Sequence, residues 1–170
     1  YNSAMQLYLV GESLIGWMAW DVMRGVDLLH ARPKIDKSRI ILTHTNDEVR
    51  ALNEAARERM RQAGDLGEDV RLTVERGARN FASGDRVMFL QNERGLGVKN
   101  GTLGTVEQVS TQSMTVQTDD GRSVRFDLRD YNRIDHGYAA TIHKAQGMTV
   151  DRAHVLATPG MDVHGSYVAL

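Results

Sequence analysis

The 170-residue chain has no cysteine, which excludes disulfides and thiolate metal sites and is compatible with a reducing compartment. It has almost no net charge. At a formal −1 it lacks the overall basic footprint of a self-standing DNA-binding domain, so any contact with nucleic acid has to be local and directional. The apolar run over residues 5–20 is interrupted by Glu12 and Ser13, is too short to span a bilayer, and lacks the basic start of a signal peptide. The phosphate-loop pattern G-x-x-x-x-G-K-[S/T] occurs nowhere, and no acidic pair follows an apolar strand. The glycine-rich stretch 95–104 lacks the Lys-Ser/Thr that would hold phosphate and magnesium. The histidines show no metal-ligand spacing, so no metal site is expected. An initiator methionine is also missing, and YVAL at 167–170 reads as an element cut before its end. The sequence is therefore expected to be a piece of a longer protein.

What is present is ordinary for a soluble globular protein: 41% hydrophobic and 25% charged residues, enough for one domain or a domain with a small insert. Apolar residues between 3 and 29 recur every three or four positions, which predicts a helical N-terminal segment over 1–37. RIILTHT at 39–45 fits a buried parallel strand. Asn46 is then expected to cap a helix through Ala63, with Val49, Leu52, Ala56 and Met60 as its buried stripe and Gly64 as its stop. Strand, polar turn and helix make a βα unit, in which ligands bind at the C-terminal end of the strand. This puts Thr43, Thr45 and Asn46 at a functional edge.

Between about 70 and 130 the period changes to two. Segments 70–74, 85–90, 104–109, 113–118 and 122–128 read as five short strands, with Asp119, Asp120 and Gly121 as a tight hairpin turn. Five short antiparallel strands within sixty residues imply a small SH3-like barrel. Beyond it, a helix over 138–146, a strand over 153–157 and a final helix near Ser166 return to the α/β pattern. The expected fold class is thus α/β, with residues 38–69 and 131–170 forming one domain that carries a β-barrel inserted at 70–130.

The densest chemistry lies in the decapeptide YAATIHKAQG at 138–147. It packs Thr141, His143, Lys144 and Gln146 among small residues and ends on glycine. Such a segment suits a polyanion approaching the backbone, because small residues admit it and the hydroxyl, imidazole, ammonium and amide supply donors. The alternative is a short surface helix with a C-terminal glycine. The decapeptide resembles motif V of superfamily 1 helicases of the RecD-like branch. The order of THTN at 43–46, the glycine-rich middle with GDRV at 84–87, and YVAL at 167–170 resembles the C-terminal motor region of TraA-type conjugative relaxase-helicases over residues 38–170.

That resemblance implies a partial RecA-like second motor domain with an SH3-like insert. It implies single-stranded DNA contacts from Thr141, His143 and Lys144, where the alternative for Lys144 is a plain helix C-terminal charge. Thr43, Thr45 and Asn46 become further DNA candidates, although Asn46 also suits a simple cap. Lys99 and Asn100, with Arg94, sit in a glycine-rich loop fit either to hug a polymer or only to turn. Gln146, Gly147 and Arg57 are the nucleotide-binding candidates; Arg57 equally suits a solvated late-helix position. The QGMT string at 146–149 lacks the acidic residue that some relatives use to hold a ribose, which sets Thr149 aside.

ATP and magnesium are expected in the parent protein and neither on this piece, which is expected to be inactive alone. The implied partners are single-stranded DNA and the upstream first motor and relaxase domains of the same chain, in a bacterial cytoplasm and without a membrane. Two other readings stay open: a non-catalytic DNA- or protein-binding module, and part of a RecD-type exonuclease subunit.

Overall fold

The structure, a computed structural model, describes residues 39–145 and 152–156. The segment 1–37, the helix near Ser166, and Gln146, Gly147 and Thr149 lie outside the described residues.

Strand β1 (Arg39–Thr43) is the centre of a parallel three-stranded sheet between β9 (Ala139–Thr141) and β10 (Arg152–Val155). A strand covered on both faces should be apolar throughout, and Ile40, Ile41 and Leu42 are all buried. Alternation divides them between two cores. Ile41 packs with Val49, Leu52 and Ala139 beneath the helix, while Ile40 and Leu42 pack with Met88, Leu103, Ala140 and Ile142 on the other side.

Helix α1 (Asn46–Gln62) buries the expected stripe of Val49, Leu52, Ala56 and Met60. Its cap differs from the expected one. Thr45 is the N-cap, with its hydroxyl accepting the Glu48 N–H at 3.2 Å and the Glu48 carboxylate accepting the Thr45 N–H at 3.0 Å. This reciprocal capping box satisfies two of the helix's otherwise orphaned donors, and Asn46 is instead the first helical residue.

The β module opens with a hairpin, β2 (Val70–Val74) and β3 (Gly77–Phe81). It continues with β4 (Arg86–Phe89), β5 (Leu103–Val109), β6 (Ser113–Thr118), β7 (Ser123–Asp127) and β8 (Ile134–His136), in the antiparallel order β7-β6-β5-β4-β8. Hairpin and sheet share one core, in which Leu72, Val74 and Phe81 meet Val87, Phe89, Val106, Met114, Val116 and Ile134. The strands pair as expected across the turn at 119–122, from Ser113 with Asp127 to Gln117 with Ser123, and Gly121 takes the positive φ of 85° that the turn demands. The sheet draws its last strand from β8, past the boundary at 130 read from periodicity.

The expected helix over 138–146 is corrected. Residues 139–141 form β9, and only α2 (Ile142–Ala145) is helical in the described part. Ala139 and Ala140 are 1% and 2% exposed, wedged between α1 and the β module. Pairing with β1 in this buried position outweighs the helical preference of alanine.

Candidate nucleic-acid interface at the strand ends

Register brings the two polar strings together. Thr43, the last residue of β1, pairs with Thr141, the last residue of β9, so both chains leave the parallel sheet at the same edge. From there one runs into α1 and the other into α2. Lys144 on α2 reaches back to Asn46 at the start of α1, Nζ to Oδ1 at 3.4 Å. His143 and Asn46 are exposed, Thr45 and Lys144 half-buried, and Thr43 and Thr141 buried at 0% and 7% exposure.

The six strand-end candidates do not carry equal chemistry. The Thr43 hydroxyl donates to the Glu48 carboxylate, and Thr45 is engaged in the capping box. These two threonines build the edge. Burial pushes the Glu48 carboxyl up, but hydrogen bonds from Thr43 and Thr45 outweigh it and hold the group below its ordinary value. Its Oε1 is buried and has no partner among the described residues. Asn46, His143 and Lys144 remain as the donors that reach solvent at the edge, with Thr141 buried beside them. Burial, then the Arg76 guanidinium, lowers the proton affinity of Lys144.

Beside this edge a groove of about 780 Å³ runs between α1 and the β2–β3 hairpin, with Asn46 among its lining residues. Arg50, Arg71, Arg76 and Arg79 line it, against the carboxylates of Glu54 and Asp135. Asp135 engages Arg76 at 3.2 Å and Arg79 at 3.8 Å. The chain's near-zero net charge thus conceals a local concentration of cations, and none of these four arginines was singled out by sequence.

Arg57 is occupied. It forks onto Asp85 through Nε at 2.9 Å and holds Asp69 at 2.7 Å. Lys99, Asn100 and Arg94 are exposed on the β4–β5 loop, away from the strand ends in sequence and topology. There the Lys99 N–H donates to the Thr102 hydroxyl at 3.0 Å and the Asn100 N–H to the Asn92 side chain at 2.8 Å. Gln146 and Gly147 lie outside the described residues. Glu48 could have been found from its place three residues after Thr45, which is the capping-box signature.

The described fold is similar to that of solved Pif1 helicases. Pif1 helicase from Bacteroides, solved with ADP-AlF3 and single-stranded DNA, superposes with a TM-score of 0.58 at 22% identity, covering 92% of this chain and 45% of that one. ATP-dependent DNA helicase Pif1 of Bdellovibrio bacteriovorus is 29% identical over 133 residues, 69% of this chain and 27% of its own length. The particular resemblance is to conjugal transfer protein TraA. The Rhizobium radiobacter protein is 43% identical over 137 residues, 79% of this chain. The chain spans about 12% of that relative's length, so it is similar to a helicase-like segment of a much longer protein. No protein-family model matches it.

Proposed function

We propose that this chain is part of the second motor domain of an ATP-dependent DNA translocase within a conjugative relaxase, contributing single-stranded DNA contacts and one wall of the ATP cleft. The observation that carries this reading is the pairing of Thr43 with Thr141, which joins two polar strings ninety-odd residues apart at one sheet edge. Thr141, His143, Lys144 and Asn46 are the proposed DNA contacts, and the arginine-lined groove beside them supplies a favourable field for phosphates. Donors of this kind add affinity without sequence preference. Lys99 and Asn100 are proposed as a secondary contact on the β module, read here as an SH3-like barrel inserted into the RecA-like domain. Its short strands and shared core support that reading.

The Pif1 relative is described as ATP-dependent, and the Bacteroides protein was solved with a nucleotide analogue and single-stranded DNA, which supports both ligands for the intact protein. This chain has no phosphate loop, so nucleotide phosphates and magnesium would be held by the first motor domain, with Gln146 and Gly147 on the facing wall. Arg57 is not proposed for that wall, since its guanidinium is bound to two carboxylates. ATP-driven closure of the two motor domains would then pass the strand between alternating grips.

The test uses the full-length protein that contains this chain. His143→Ala should weaken binding of a labelled oligothymidylate and uncouple ATP hydrolysis from DNA while circular dichroism stays unchanged. Normal binding and full DNA-stimulated hydrolysis in that variant, with both lost in Asn100→Ala, would move the strand to the β module.

A further inference from the structure

The chain passes from the β module to the parallel sheet in two residues, Gly137 and Tyr138, between β8 and β9. Both are pinned. A Cβ on Gly137 would stand 2.8 Å from the Val87 carbonyl carbon, so the backbone is pressed against β4, and the Gly137 N–H donates to the Arg86 carbonyl at 2.9 Å. Tyr138 donates its hydroxyl to Asp85 Oδ1 at 2.9 Å and accepts the Arg86 N–H at 3.1 Å.

Asp85 is wholly buried just before β4. It also accepts the Ala82 N–H at 2.7 Å and the fork of Arg57, with Nε at 2.9 Å and the second nitrogen at 2.9 Å. Arg57 stands on α1. One turn earlier on the same helix, Asn53 accepts the N–H groups of Tyr138 at 3.1 Å and Ala139 at 2.9 Å. Helix, β module and the root of β9 therefore meet at one carboxylate. A buried carboxylate is tolerable only while its donors stay in place, because displacing any of them leaves charge unpaired away from water. Two residues after Ala139, the same strand ends at Thr141.

We propose that Arg57, Asp85 and Tyr138 form a clasp that fixes the β module against α1 and sets where the strand end bearing Thr141 and His143 stands, making them positioning residues for single-strand binding. This rests on the reading of Thr141 and His143 as strand contacts. The clasp touches no DNA, so loosening it should weaken affinity without removing any phosphate contact.

The experiment measures oligothymidylate affinity of the full-length protein across a salt series. Tyr138→Phe keeps the ring that packs with Ala56 and Met60 and removes only the hydroxyl. It should raise Kd threefold or more while the slope of log K against log salt stays at the wild-type value, since that slope counts neutralised phosphates. Asp85→Asn should do the same more strongly; if it fails to fold, Tyr138→Phe decides alone. Val116→Ala, in the β-module core outside the clasp, should lower the melting temperature with Kd unchanged. The clasp is overturned if Tyr138→Phe binds as wild type while His143→Ala does not, or if Val116→Ala raises Kd equally. If His143→Ala also binds normally, the clasp falls together with the strand-end reading.

Discussion

Removing the Asp85 carboxylate should be among the most costly single changes in this chain. In Asp85→Ala the guanidinium of Arg57, with its side chain 12% exposed, keeps Asp69 as its one remaining partner among the described residues, while the Tyr138 hydroxyl and the Ala82 N–H lose this acceptor. Breaking a buried ion pair from one side costs about 3–5 kcal/mol, because the stranded charge remains desolvated. Replacing both partners by apolar groups, as in Asp85→Leu with Arg57→Met, should cost far less, since no charge is left behind. An exposed pair gives the contrast. Asp47 and Arg50 are 92% and 61% exposed at 3.6 Å, and Asp47→Ala should cost about 0–1 kcal/mol. Urea unfolding of the purified chain, followed by far-ultraviolet circular dichroism, measures all three. A loss under about 1 kcal/mol for Asp85→Ala, equal to that of Asp47→Ala, would refute the reasoning, because the buried carboxylate would then hold nothing together.

Thr45→Ala removes the N-cap acceptor and should cost about 1 kcal/mol with a lower melting temperature, whereas Asn46→Ala should leave stability nearly unchanged; thermal unfolding separates the two. Burial, chiefly, holds the His136 imidazole below its ordinary 6.5, against the opposing charges of Asp85 and Asp135. The unfolded chain therefore takes up this proton first on acidification. Stability should be fully present above about pH 6.5 and decline as pH falls through the lower folded value, and His136→Gln should flatten that part of a melting-temperature profile. Lys144→Ala in the full-length protein should reduce the salt slope of oligonucleotide binding by about 1, the signature of one lost phosphate contact. An unchanged slope would remove Lys144 from the interface.

How far the sequence could be read depended on whether local pattern or tertiary pairing decided each element. Helix α1 was legible because its stripe repeats at helical period over seventeen residues and acidic and basic ends match the dipole. β1 was legible because two-sided burial demands an unbroken apolar run. β3 was not, since Gly77–Phe81 has a single buried side chain and is a strand only through pairing with β2. β9 was misread because its strand state comes from pairing with β1, which the local preference of alanine does not show. At the interface, the strand-end position of THTN followed from the βα pattern, whereas Thr141 was read within a helix and its place at the end of β9 was not legible. The division of labour among the threonines, Glu48 and Asn46 depends on side-chain reach, which spacing alone does not reveal. Arg57 was read as a nucleotide candidate or a solvated late-helix residue, and its carboxylate partners Asp69 and Asp85, 12 and 28 residues away in the chain, could not be seen in the local pattern.

The central claim is that a single strand of DNA lies across the ends of β1 and β9. The most direct test is photo-crosslinking of a halogenated oligothymidylate to the full-length protein, with the attached peptides mapped by mass spectrometry. Crosslinks within residues 44–46 and 141–144, lost on competition with unlabelled single strand, are the predicted result. Crosslinks confined to residues 92–102 of the β module, with none at the strand ends, would contradict it.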